Sequence, residues 1–157
     1  MDADATRRAL PRRTVAVARG LLAPYLVLLG LVVFLPAREA ERVTGVVGML
    51  ADALATFGVP REPAATVLEF LANVVLFVPF GVLIPTAFPK SSVFRVLLSG
   101  CLLSVGIELV QIALPSRVPT VSDVIANTVG VGVGVGLVHL GVRSHGRTTA
   151  RHAQGGQ

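Results

Sequence analysis

The chain has 157 residues, 53% of them hydrophobic and 15% charged, with a mean hydropathy of +0.75. A water-soluble domain of that length needs more charged surface around its core, so the composition excludes one. The long apolar runs indicate an integral membrane protein instead. A net charge of +5 and a pI near 11.0 would suit nucleic acid on a soluble protein. Here the basic residues gather at the edges of apolar runs and no aromatic-interleaved basic patch exists, which speaks against that partner.

The opening MDADATRRALPRRTVAVARG is polar and Arg-rich, and an apolar run from Leu21 to Leu35 follows. With Val15 to Ala18 it reaches the ~20 residues that cross ~30 Å of hydrocarbon. Basic-then-apolar order also fits a cleaved signal peptide, but the run is long and no small-x-small cleavage site follows. An uncleaved first span is expected. From Glu39 to Val59, apolar Val43, Val46, Leu50, Leu54 and Phe57 recur at helical spacing, with Asp52 and Thr56 off the stripe. Glycines and charges make this stretch a poor span, so it predicts a helix lying along the bilayer surface.

GVPREPAATVLEF restarts the chain, with Pro63 suited to a first helical turn, and opens a second span that continues to Ile84. Pro79 inside it removes one backbone bond and leaves the Val75 carbonyl without its donor. After the FPKSSVFR turn, a third span runs from Val93 to Leu114, where Pro115 ends it. Cys101, the single cysteine, lies in this run as a packing residue. SRVPT leads to a fourth span, Thr120 to Val142. In it Gly130, Gly132, Gly134 and Gly136 alternate with valine. The unbroken apolar length argues for a helix, with Gly130 and Gly134 on one face and Gly132 and Gly136 on another. That spacing serves close helix contact; no polar residues or lysine follow as a phosphate loop requires. The histidines show no metal-ligand spacing.

The expected fold class is therefore all-α: a membrane bundle of four transmembrane helices over residues 15–142, with an extracytoplasmic interfacial helix between the first and second. An N-terminal segment, 1–14, precedes it, and a polar tail expected to be disordered, 143–157, follows. Arg7, Arg8, Arg12, Arg13, Arg19, Lys90, Arg95, Arg143, Arg147 and Arg151 flank one set of span ends, against Arg38, Arg42, Arg61 and Arg117 at the other. The positive-inside rule then places a multi-pass protein in the cell membrane with both termini cytoplasmic.

That topology turns scattered polar residues into a cluster. Glu69 and Asn73 lie one turn apart in the outer half of the second span, and Glu108 and Gln111 in the outer half of the third. Arg117 is in the outer loop, and Asp123 and Asn127 open the fourth span. A carboxylate at mid-helix depth costs about 2.5–3.5 kcal/mol on insertion scales, so Glu69 and Glu108 imply inward orientation, partners or water. Arg117 is the nearby cation, expected to bond Glu108 or Asp123. Crowded carboxylates of this kind can share a proton, which makes Glu108 and Asp123 acid/base candidates. A divalent cation held by carboxylate and amide oxygens would offset the same imbalance without being required. Bland readings stand beside these. Thr120 and Asp123 fit a capping box, Glu69 could lie in headgroup water, Arg117 could meet lipid phosphate, and Asn73, Gln111 and Asn127 could bond helix to helix.

The blocks NVVLFVPFGVLIP from Asn73, IELVQIALPSR from Ile107 and DVIANTVGVGVG from Asp123 resemble the VanZ-like family of small bacterial membrane proteins. The resemblance covers roughly Leu68 to Leu140. It carries over Asn73, Pro79, Gly81, Glu108, Gln111, Pro115, Arg117, Asp123, Asn127 and Gly130, while Glu69 rests on topology alone. The resemblance implies a role at the cell envelope. The family takes its name from a member associated with teicoplanin resistance by an unestablished mechanism, and many relatives lie outside resistance clusters. Three readings follow for the outer site: binding of a lipid headgroup, lipid-linked precursor or glycopeptide; hydrolysis or group transfer using Glu108 or Asp123; or a structural bundle whose function lies in a partner. Ion transport fits less well, because the inner halves of the helices offer no continuing polar path.

Overall fold

The computed structural model describes the backbone of residues 10–34, 37–112 and 120–154, and the side chains of 10–34, 45–112 and 120–142. Within them every regular element is a helix: α1 (Arg12–Phe34), α2 (Ala37–Thr56), α3 (Arg61–Ala87), α4 (Val93–Ile112) and α5 (Val121–Gln154). Four are long and apolar enough to cross a membrane, namely α1, α3, α4 and the Val121–Val142 part of α5. With α2 between the first and second spans, this is the all-α architecture the apolar runs predict. Each span buries one stripe and leaves the other apolar. Leu29, Val33, Phe77, Phe80, Val96, Ile107, Val131 and Val135 form the shared core. Residues such as Val27, Val75, Leu102, Leu109 and Val133 face outward. A chain that exposes this much aliphatic surface is built for lipid.

The helix pair α3 and α5 organises the bundle. A Cβ at Gly130 would fall on the Val74 carbonyl oxygen and 3.1 Å from the Phe77 Cβ; one at Gly134 would fall on the Val78 carbonyl. Gly81 answers from α3, where a Cβ would strike the Val131 backbone. Only hydrogen fits at these three crossings, so the two backbones touch, as small residues permit in membranes. The contacts Val74/Gly130 and Val78/Gly134 advance in the same direction, so α3 and α5 run parallel. The other glycine pair does not share this duty. Gly132 would meet only a Leu97 methyl at 3.8 Å, and Gly136 meets nothing within 4 Å.

α4 returns antiparallel and lays Gly100 under the Val131 side chain. α1 also runs antiparallel to α3, and two polar ties fix it. The Arg19 Nε donates to the Ala87 carbonyl at 3.0 Å and its guanidinium lies 5.8 Å from the Phe88 ring centre. This satisfies a carbonyl at the C-terminus of α3 with a cation, the sign the helix dipole favours. The Tyr25 hydroxyl donates to the Leu76 carbonyl at 3.0 Å, beside the bond that Pro79 removes. The helix continues through both Pro79 and Pro85.

Among the described residues of α2, Val46, Met49 and Leu50 are exposed and Ala51 is buried. The helix ends where Gly58 takes φ +85° and the Val59 and Gly58 amides donate to the Leu54 and Ala55 carbonyls, a Schellman stop. Beyond Val142 the helical backbone of α5 runs on to Gln154, in place of the disordered tail that polar composition predicts from residue 143. This stretch holds no proline, and its alanines, arginines and Gln154 favour helix against Gly146 and the two threonines.

Candidate functional site

Antiparallel packing gathers four helix ends: the C-termini of α1 and α4 and the N-termini of α3 and α5. The polar residues meet there. On α4, Ser104, Glu108 and Gln111 follow at i, i+4 and i+7 and share one buried face with Ile107. Glu108 and Gln111 are each 8% exposed, although Val105, Leu109, Val110 and Ile112 beside them face outward. Gln111 reaches α1, donating from Nε2 to the Val33 carbonyl at 3.1 Å. Val33 lies in the last turn of α1, whose carbonyls lack intrahelical donors, so the amide caps that helix.

The start of α5 is a rearranged capping box. Thr120 serves as N-cap: its hydroxyl accepts the Asp123 amide N–H at 3.2 Å. In a closed box the acidic side chain would reach back to the Thr120 N–H. Here Glu108 takes that place from α4, its Oε2 accepting the Thr120 N–H at 3.1 Å. The carboxylate sits where the α5 dipole is positive. Asp123 is thereby released from capping, and its Oδ1 accepts from Asn73 Nδ2 on α3 at 2.7 Å. Two substitutions of partner thus link α3, α4 and α5 in one polar chain.

One turn deeper, Asn127 donates from Nδ2 to the Ser104 hydroxyl at 2.7 Å. Ser104 is fully buried and Asn127 is 4% exposed. The Asn127 Oδ1 is buried and finds no hydrogen-bond partner among the described residues. Such an orphaned acceptor costs about 1–3 kcal/mol. Ser104 was not among the residues singled out from the sequence. Its position one turn before Glu108 was the available signal, masked because a lone serine in an apolar run usually bonds its own helix.

The predicted cluster is therefore brought together at Asn73, Glu108, Gln111, Asp123 and Asn127. Glu69 is not part of it. Though one turn from Asn73, it stays exposed, without a polar partner among the described residues. Arg117 and Pro115, with the expected bond from Arg117 to a carboxylate, fall in the stretch 113–119, outside the described residues. Among the described residues no three His, Cys, Asp or Glu side chains stand close enough to hold a metal ion. His139 bonds its own helix through Nδ1 and the Val135 carbonyl at 2.8 Å, far along α5 from this end. The cluster thus holds two carboxylates, Glu108 and Asp123, and three amides that carry both acceptor oxygens and N–H donors.

A family model described as VanZ/LLP1 matches residues 22–142, more than half of the chain, and the chain belongs to that family. The match takes in α1 from residue 22, all of α2 and the three blocks from Asn73 onward. No curated protein and no solved structure matches.

Proposed function

We propose that this VanZ/LLP1 protein works at the extracytoplasmic face of the cell membrane, both termini in the cytoplasm. There its polar cluster binds or modifies an envelope component: a lipid headgroup, a lipid-linked precursor or a glycopeptide. The observation that carries the reading is the diverted cap. An Asp123 held only to finish α5 would bond Thr120, whereas its carboxylate turns to Asn73 and leaves that duty to Glu108. Charge placement supports the orientation, since Arg12, Arg13, Arg19, Lys90 and Arg95 crowd the opposite end of the bundle. Arg117, which the sequence puts between the third and fourth spans, enters this proposal as the cation that would steady a phosphate or carboxylate. The same diversion favours an enzymatic version, in which Glu108 and Asp123 act as acid and base in hydrolysis or transfer on a lipid-linked substrate.

The test compares cells lacking the protein with cells carrying wild type, Glu108→Gln or Asp123→Asn at matched membrane abundance. Glycopeptide susceptibility and the mass profile of envelope lipids and muropeptides are measured. Both variants are expected to insert normally and lose the wild-type effect; full activity in both removes the reading. A lipid or muropeptide product absent only in Glu108→Gln selects the enzymatic version. Loss of function that tracks loss of abundance would mean the polar groups merely hold the bundle together.

A further inference from the structure

At the end of the bundle away from the polar cluster, α4 and α5 leave a groove between them. It encloses about 440 Å³ and is lined by Val93 and Leu97 on α4 and by Gly132, Gly136, His139 and Leu140 on α5. The two glycines give it depth. A Cβ at Gly136 would meet nothing within 4 Å, and one at Gly132 only a Leu97 methyl at 3.8 Å. From His139 to Gly132, α5 rises about 10 Å, within the ~15 Å depth of one leaflet, so the groove follows a lipid chain from headgroup level inward. An apolar groove open to the bilayer does not stay empty, because its walls would forgo their dispersion contacts.

Either a lipid chain or a helix of a second copy fills it, and two observations decide for lipid. Close helix contact needs both small residues bare, yet Leu97 already leans over Gly132, so a second helix could reach Gly136 alone. Charge is the other. The described side chains at this end include Arg12, Arg13, Arg19, Lys90 and Arg95, while every described acid, Asp52, Glu62, Glu69, Glu108 and Asp123, lies toward the opposite end. Two copies joined through this face would bring like charges together, whereas an anionic headgroup meets its complement.

The mouth of the groove is built for such a headgroup. Val93 is the first residue of α4, so the positive end of that helix dipole opens there. Lys90 precedes it by one turn of chain, exposed, its Nζ without a partner among the described residues. Arg95 instead folds back, giving Nε to the Ser92 hydroxyl at 3.3 Å and Nη2 to the Lys90 carbonyl at 2.7 Å. His139 donates its Nδ1–H to the Val135 carbonyl at 2.8 Å, which leaves Nε2 as an acceptor.

We propose that this groove holds one acyl chain of an anionic phospholipid, its phosphate against Lys90 and a headgroup hydroxyl on His139. The site is separate from the outer polar cluster and does not depend on the reading given to it.

The full-length chain would be placed in nanodiscs of equal phosphatidylglycerol and phosphatidylcholine with identical acyl chains, then released into detergent. Native mass spectrometry reads both the lipids retained and the number of protein chains. A monomer is expected to keep one phospholipid, phosphatidylglycerol about fivefold over phosphatidylcholine, the preference that one basic residue at a membrane surface supports. Gly136→Leu fills the groove with every charge in place and should lose that lipid. Lys90→Gln should bring the ratio near one, whereas Arg13→Gln, the same loss of charge on α1, should leave it. Because Lys90 is exposed, its variant decides the matter even where Gly136→Leu does not fold. Equal retention of both lipids by the wild type, or unchanged retention in Gly136→Leu, overturns the proposal. An equal drop in Lys90→Gln and Arg13→Gln overturns it too, in favour of general surface charge. A lipid-free dimer that Gly136→Leu dissociates overturns it in favour of a second copy.

Discussion

Replacing Gly130 with alanine tests the geometry on which the site depends. In an ordinary helix interior this change stabilises by about 1 kcal/mol. At Gly130 the new Cβ would fall on the Val74 carbonyl oxygen and crowd the Val74 carbon at 3.0 Å and the Phe77 Cβ at 3.1 Å. Two of these atoms are backbone, so no side chain can swing away. A carbon and a carbonyl oxygen need roughly 3.3 Å, which requires α3 and α5 to part by about 1 Å. Overpacking of this kind costs about 1–3 kcal/mol. The same parting acts on the neighbouring residue of α3, where Asn73 holds Asp123 at 2.7 Å. Lengthened to roughly 3.7 Å, that contact ceases to be a hydrogen bond. Gly136→Ala is the internal control, since a Cβ there meets nothing within 4 Å. Melting curves of the detergent-solubilised protein should show Gly136→Ala at or above wild type. Gly130→Ala should fall below it by several degrees, at ~2–4 °C per kcal/mol, and lose the envelope effect as well. If both variants rise together, the backbones of α3 and α5 are not in contact and the reach from Asn73 to Asp123 has no foundation.

Three further outcomes follow from the same contacts. Thr120→Val removes the N-cap hydroxyl while keeping the backbone N–H that Glu108 accepts, so it should lower stability by about 0.5–2 kcal/mol with the envelope effect retained. Arg61→Gln breaks a pair whose side chains are 56% and 61% exposed, so the melting temperature should barely move. The double variant Ser104→Ala/Asn127→Leu replaces the buried polar pair by apolar groups. It should melt no lower than wild type while losing the envelope effect, and a large drop in melting temperature would reveal the pair as cement.

The spans and the convergence of Asn73, Glu108, Gln111, Asp123 and Asn127 were legible because apolar length and helical spacing are one-dimensional signals. Antiparallel connection then dictates which ends meet. Choosing between the two glycine faces was not possible: Gly130/Gly134 and Gly132/Gly136 have the same spacing, and only the position of α3 decides which pair is crossed. Glu69 failed for a related reason. Spacing of one turn puts it near the face of Asn73 without burying it, and Glu69 is exposed where Asn73 is partly buried. The direction of the amides was also beyond reach, since an asparagine in a sequence carries donor and acceptor alike. It is the partner, a carboxylate for Asn73 and a helix-end carbonyl for Gln111, that turns them.

The energetics separate a bundle that needs these groups for cohesion from one that keeps them for something else. A hydrogen bond between helices in a membrane contributes about 0.6 kcal/mol on average. The Ser104–Asn127 bond therefore returns less than the ~1–3 kcal/mol lost to the unpartnered Asn127 oxygen. As cohesion, the pair is a net loss against an apolar pair of the same volume. The same holds, less sharply, for Glu108, which sits in a helix apolar enough to insert without it and could leave the Thr120 N–H to Asp123. Groups that lower stability where a simpler solution is at hand, gathered at one end of the bundle, are the energetic ground for the binding reading proposed above.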